Sequence, residues 1–374
     1  MIYALYASAG ILIGGTLMSL LHHDYWWVRV FDFPRKQIAT GILCVVGGLF
    51  AAGETEGTGA FLIAGLLLCF LYQFDHVIQY TQVAPREVTP ATRPRAKTRS
   101  LALLTANVEM ENRSAGPLLD LVKKEDPDVV LAIETDRWWA RRLSALTERF
   151  SYTCMHPKGN RYGMCLLSKR PLLSAEIRHI VSEDTPSIKA EIDLGGGVST
   201  LLYGIHPPPP HPIHEPDTTR RDAELIRLGE EIRERQMPAV VSGDLNDVSW
   251  SETTDLFEKV SGLLDPRRGR GFYNTFHARY PIIRYPLDHT FHSKRFRIKQ
   301  ISVKGYIGSD HYPVLTELQY DPKAEEDHDP PVKSHIVEGW AEREMEKLRR
   351  KETSGPSGPE NGSLARCAEK GGLG

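Results

Sequence analysis

Several short apolar runs in this chain end on a polar residue that could take part in chemistry. LALLTAN ends on Asn107, DVVLAIE on Glu134, STLLYGIH on His206 and AVVSGD on Asp244, with Asn246 two residues further on. Asp288 and the adjacent Asp310 and His311 follow in the last third. The carboxyl ends of strands in an α/β sheet open onto a shared cleft, so these side chains are candidates for one site. Taken singly each has a plainer explanation: a strand-terminal Asp or Asn caps a helix or forms a turn, and Glu134 could cap a helix starting near Asp136. Taken together they form a useful set. Hard divalent cations prefer carboxylate and carbonyl oxygen, which suits Glu134 with Asn107 nearby. A carboxylate such as Asp244 accepts a proton or holds a water, and an amide such as Asn246 donates to an anionic oxygen without adding repulsion. His311 can act as base or donor if a carboxylate fixes its tautomer.

Read in order, TANVEM, LAIETD, YGIHPPPP, SGDLND, PLDHTF and GSDHYPV resemble the signature blocks of the endonuclease/exonuclease/phosphatase superfamily over residues 101–320. The most specific are GDLND and GSDHYPV. The resemblance implies an α/β (α+β) domain of the DNase I type, a four-layer sandwich of two packed mixed β-sheets flanked by helices. It also implies Mg²⁺ or Mn²⁺ as cofactor, with Glu134 as principal ligand and Asp310 supporting the metal. Asp244 would orient or deprotonate the attacking water, Asn246 would hold the phosphate, and Asp288 would pair with His311. His206 falls where some members place a second catalytic histidine. Such a set suits hydrolysis of a phosphodiester, which needs an activated water, neutralised equatorial oxygens and a protonated or metal-bound leaving oxygen.

Two positions depart from the usual pattern: Ile133 precedes Glu134 where Gln is common, and His289 follows Asp288 where Tyr is common. Neighbours on a strand alternate sides, so His289 should face away from Asp288. The proline run after His206 reads as a stiff rim or as a polyproline recognition segment, with the rim favoured, and His211 and His214 beyond it read as solvated ahead of contacting substrate or adventitious metal. Residues 267–285, rich in Arg and aromatics, would suit a phosphate backbone with base stacking, or equally form a solvated loop.

The elements that must position these residues are short apolar runs of strand length alternating with helical patterns over 118–124, 138–150 and 218–236. GGGVS reads as a hairpin turn. Charged residues balance, with 46 Lys plus Arg against 48 Asp plus Glu, so no global pull toward nucleic acid or acidic lipid operates. The five Cys lack metal-ligand spacing, which argues against a zinc site.

Before residue 80 the character changes. Three apolar segments, about 2–21, 38–53 and 60–78, are expected to form a transmembrane anchor over 1–80, with Tyr25, Trp26, Trp27, Phe31 and Phe33 as interface aromatics. The opening MIYALYASAG has no basic start, so the first segment is expected to be retained. This part resembles the membrane-attached bacterial YafD-like branch. Residues 81–100 read as a basic, proline-containing linker, and 321–374 as a charged, mostly disordered tail. Basic residues in the flanks place the C-terminal domain in the cytoplasm of a multi-pass inner-membrane protein. The expected partners are therefore the lipid bilayer and a phosphate-ester substrate, nucleic acid or phospholipid headgroup, with no protein partner. The alternative is a catalytically silent, membrane-tethered interaction module on the same fold.

Overall fold

A computed structural model of the chain describes residues 2–21, 23–91, 99–210 and 215–354. These divide into two compact units, a helical one (residues 2–85 with 210–218 and 268–271) and an α/β one formed by the remainder. His211 and His214 lie outside the described residues.

The helical unit holds α1 (Ile2–Ser19), the short α2 (Trp26–Arg29), α3 (Arg35–Ala51) and α4 (Gly57–Ile78). Ala9, Ile42, Leu49 and Leu66 pack at its centre. A polar chain threads through it: Arg35 Nη2 reaches Asp32 Oδ1 at 2.5 Å and its Nη1 reaches Gln73 Oε1 at 3.2 Å, while Gln73 Nε2 donates to Thr16 Oγ1 at 3.1 Å. Among the described residues, only α1 and α4, of 18 and 22 residues, are long and apolar enough to cross a membrane, not the three segments expected. The reason lies at the start of α3. That helix begins on Arg35 and Lys36 rather than on Ile38, so two of its 17 residues are charges in the first turn and its uncharged part is shorter than α1 or α4.

In the α/β unit, β1 (Ser100–Asn107), β2 (Val129–Ile133), β3 (Tyr152–His156), β4 (Met164–Ser168), β10 (Phe296–Val303) and β11 (Val314–Tyr320) form one mixed sheet in the order β10-β11-β1-β2-β4-β3. The second sheet runs β5-β6-β7-β8-β9, from β5 (Leu172–Arg178), β6 (Ser187–Gly195), β7 (Val198–Ile205), β8 (Ala239–Asp244) and β9 (Asp288–His292). The two sheets pack face to face over Leu103, Leu131, Ile133, Leu166, Ala190, Leu202 and Val240. On the outer face of the first sheet, Leu104, Ala132 and Leu167 meet Leu118 of α5 (Gly116–Glu125) and Trp139 of α6 (Arg137–Leu143). On the outer face of the second, Tyr203 and Val241 meet Leu225 and Leu228 of α7 (Thr219–Arg235) and Phe257 of α8 (Glu252–Ser261). Alternating side-chain direction along each strand explains why Leu103 and Leu104 serve different layers. The four-layer sandwich expected from sequence is present.

Two segments are more ordered than expected. Val88 is fully buried in the inter-sheet core and Ala91 N–H donates to Ile298 O at 2.8 Å, so residues 86–91 extend the edge beside β10. In the tail, α9 (His335–Ser354) packs Val337 and Ala341 on Ile226, Leu256 and Val260.

Glu224, on α7, is buried with neither carboxylate oxygen hydrogen-bonded, and burial pushes its carboxyl up to about 8. The native state therefore holds a proton that the unfolded chain releases, and stability falls as pH rises from about 4.5 toward about 8, at up to ~1.4 kcal/mol per pH unit. Glu224→Met is expected to remove that slope and raise the melting temperature, more at pH 9 than at pH 5. Equal pH slopes in thermal melts of the two proteins would count against it.

Candidate active site

Strand direction gathers the site. β1 and β2 are parallel, as are β7 and β8, so Asn107, Glu134, His206 and Asp244 all emerge at carboxyl ends. β11 and β9 run antiparallel to β1 and β8, so His311, just before β11, and Asp288, which opens β9, arrive at the same end. Gly243 lets β7 and β8 approach there: a Cβ at that position would lie 1.8 Å from Ile205 O. Thr105 Oγ1 and Ser242 Oγ, 2.8 Å apart and buried, link the two sheets within the same β1 and β8 ends.

Asn107 is the hub. Its Nδ2 donates to Glu134 Oε1 and to Asp244 Oδ2, both at 3.0 Å, and its Oδ1 accepts from Glu109 N–H at 3.0 Å. Expected as a metal ligand, it instead presents donors to two carboxylates, because its oxygen is turned to the backbone. Glu134 sits at φ +61° and takes a further bond from Met110 N–H at 3.3 Å. The capping role that Glu134 could have had belongs to Asp136, which accepts from Trp139 N–H at 2.9 Å. Burial raises the Glu134 carboxyl to about 7 against the opposing Asn107 bond.

Asp244 is fully enclosed, with Asn246 N–H donating to its Oδ1 at 2.9 Å in an Asx turn that needs Asn246 at φ +52°. Leu245 between them points into the core under α7 and α8. Asn246 Nδ2 donates to Pro207 O at 3.0 Å, tying the proline rim to the site. Asp288 Oδ2 meets His311 Nδ1 at 2.7 Å, and His311 Nε2 lies 3.5 Å from Asp244 Oδ2. His206 Nε2 approaches the same oxygen at 3.9 Å. Burial opposes a charged His311, yet Asp288 and Asp244 outweigh it and hold the imidazole at about 10. Burial lifts the Asp244 carboxyl and lowers the His206 imidazole.

Asp310 stands at the edge of this group. Its N–H donates to Glu109 Oε2 at 3.1 Å, and its carboxylate adds to the negative field at His311 and Arg161. His289 faces away from Asp288, as expected, with Nε2 2.9 Å from Asp247 O and Nδ1 2.7 Å from Arg267 Nη2. Arg267 is buried in a pair with Asp265, so it is not available to a phosphate backbone.

Residues missed from sequence complete the walls. Phe276 lies 4.9 Å from the His311 ring and Tyr162 lies 5.4 Å from the His206 ring, centroid to centroid. Thr275 Oγ1 accepts from Asp288 N–H at 3.2 Å, and Ser309 Oγ accepts from His311 N–H at 3.0 Å while donating to Asn107 O at 2.8 Å. Ser309 sits inside GSDHYPV and Ser242 immediately precedes GDLND, so both are legible in the sequence. Phe276 and Tyr162 come from loops without periodic pattern.

The sequence pattern of the Endonuclease/Exonuclease/phosphatase family matches residues 104–311, which bracket this cluster. The chain belongs to that family. Family members are hydrolases acting on phosphate esters, and the buried carboxylate and imidazole set fits that chemistry. Among solved structures, the chain is similar to truncated Caenorhabditis elegans TDP2 (16% identity, 59% of this chain and 98% of that one, TM-score 0.49). It is also similar to the human Nocturnin catalytic domain with bound sulfate (15%, 59% and 95%, TM-score 0.49). A third is an endonuclease/exonuclease/phosphatase from Beutenbergia cavernae (17%, 60% and 72%, TM-score 0.47). No curated protein sequence matches.

The donor set fits a hard divalent cation. Glu134, Asp244 and Asp288 crowd three carboxylates together, and Asp288 Oδ1 is buried without a hydrogen-bond partner. Among the described residues, Asp244, Asp288 and His311 bring ligand atoms within 4.8 Å of one another. His311 Nδ1 is engaged by Asp288, however, which leaves only its Nε2, 3.5 Å from Asp244 Oδ2, facing the cluster.

Proposed function

We propose that the chain is a membrane-anchored phosphodiesterase that requires a divalent cation, Mg²⁺ or Mn²⁺, held by Glu134, with Asn107 orienting that carboxylate through its Nδ2 bond and Asp310 in support. The observation that carries this reading is the convergence of Asn107, Glu134, Asp244, Asp288 and His311 from both sheets into one buried, hydrogen-bonded cluster. The cation supplies charge neutralisation at the phosphoryl and leaving oxygens. Asp244 accepts the proton of the attacking water, a role suited to a carboxylate whose affinity for protons burial has raised. His311, kept cationic by Asp288, neutralises a phosphoryl oxygen. His206 donates toward the leaving oxygen, and Asn246 holds the phosphate with the N–H that Pro207 leaves free.

Two apolar helices, α1 and α4, support the anchor. With two crossings, the loop between them and the C-terminal domain lie on opposite sides. Five basic residues follow α4 (Arg86, Arg93, Arg95, Lys97, Arg99) against three before it (Arg29, Arg35, Lys36), which favours a cytoplasmic domain.

The test is a hydrolysis panel on the full chain reconstituted in vesicles, offering plasmid DNA, RNA, phospholipid and inositol phosphates with and without chelator. Cleavage of one class that chelator abolishes is expected. Silence across the panel with Mg²⁺ bound would refute the reading.

A further inference from the structure

We infer that the loop tip Tyr280–Ile283 inserts into the headgroup layer of a phospholipid bilayer and presents the active-site cleft to lipid phosphodiesters. The inference rests on the phosphodiesterase reading and names its substrate class. The tip, Tyr-Pro-Ile-Ile, exposes Tyr280 at 56%, Ile282 at 79% and Ile283 at 50%. Four consecutive residues without charge, three of them large and largely exposed, form a costly water-facing surface. Arg279 and Arg284 bracket the tip; Arg279 is ion-paired with Glu109, so among the described residues the apolar wedge is flanked by one uncompensated cation, Arg284, an arrangement that matches acyl chains below and phosphates above. Tyr306, half exposed, lies beside Arg279, whose Nε donates to its hydroxyl at 3.4 Å, and adds an interface-seeking ring.

The stem of the loop is built into the active site. Phe276 pairs with His311 along the backbone, and its ring lies against the His311 imidazole. Ala278 N–H donates to Asp310 O at 2.7 Å, and Tyr312 Oη donates to Ala278 O at 3.0 Å. Arg284 lies over the Tyr312 ring, with Nη2 3.1 Å from its hydroxyl. A tip fixed to the residues on either side of His311 sets the depth at which the cleft meets the surface it enters. Charge complementarity favours phospholipid over an apolar protein groove, since the Arg284 cation stands next to three exposed residues that carry no charge.

The test uses the full chain in phosphatidylcholine/phosphatidylglycerol vesicles, with Cys44, Cys69 and Cys367 replaced by Ser and an environment-sensitive fluorophore on Ile282→Cys. Leu173→Cys, an exposed apolar position on β5, is the control. Quenching by lipid-borne quencher at 282 but not at 173 is expected. Absence of quenching at 282, or equal quenching at both, overturns insertion whether or not the chain proves active. The double variant Ile282→Asp/Ile283→Asp should lower phospholipid hydrolysis in vesicles at least tenfold and leave hydrolysis of soluble bis(p-nitrophenyl) phosphate unchanged. Wild-type lipid turnover in that variant, or a wild-type chain that cleaves only nucleic acid, overturns the substrate class. A wild-type chain inert toward the soluble diester would instead count against the phosphodiesterase reading itself.

Discussion

Asp244→Asn is expected to lower phosphodiester turnover about a thousandfold, the usual loss when a positioned general base is removed, equivalent to about 4 kcal/mol of transition-state stabilisation. The substitution keeps the shape of a side chain that is almost fully buried and that lies between two imidazoles. It also removes the burial cost of the carboxylate and its repulsion by Asp288 while giving up its attraction to His311, so the melting temperature should hold. Single-turnover rates and thermal melts on the same preparations separate the two effects. A rate within tenfold of wild type would remove Asp244 from its assigned role. A collapse of the fold is not expected, because an Asn can still accept the Asn107 bond through its carbonyl oxygen.

Glu134→Gln should act through the cation. Losing the principal carboxylate ligand is expected to raise the Mg²⁺ concentration for half-maximal activity on the order of a hundredfold, about 2.7 kcal/mol. The readout that does not depend on catalysis is the rise in melting temperature with added Mg²⁺, which follows RT ln(1 + [Mg²⁺]/Kd) and should nearly vanish in the variant. Without metal the sign reverses. Burial holds the Glu134 carboxyl at about 7, so above that pH the native wild type keeps an ionised, desolvated carboxylate that the amide lacks. The stability it forfeits is lost as pH rises from about 4.5 through about 7, and metal-free Glu134→Gln should melt at or above wild type at pH 8. An unchanged Mg²⁺-dependent shift would place the cation elsewhere, with Asp244, Asp288 and His311 as the next set to vary.

Where sequence reading falls short, a partner distant in the chain is responsible. The apolar run from Ile38 predicts the second membrane helix, but α3 starts three residues earlier on Arg35. Its charge is tolerated because Asp32 and Gln73, the latter 38 residues away, satisfy it. Residues 86–91 have the proline and charge of a linker, yet Val88 finds a place in the core because the edge of β10 offers Ile298 O to the Ala91 N–H. The apolar tip at 280–283 sits inside a stretch whose arginines suggest phosphate contact, and one of those, Arg267, is consumed by Asp265 and His289.

By itself the sequence determined the local pattern: which runs are strands, which are amphipathic helices, and which polar residues stand at strand ends. Those follow from side-chain periodicity and from turn-forming residues, both set by near neighbours. Tertiary structure decided what the polar residues do. Asn107 and Asp244 are 137 residues apart, and their 3.0 Å bond exists only because a parallel register within each sheet, and the packing of one sheet on the other, bring two strand ends to the same point. The same convergence takes Asn107 from presumed ligand to bridge between two carboxylates and fixes His311 against Asp288. Register between distant strands is decided by the whole buried surface, and no local run of residues encodes it.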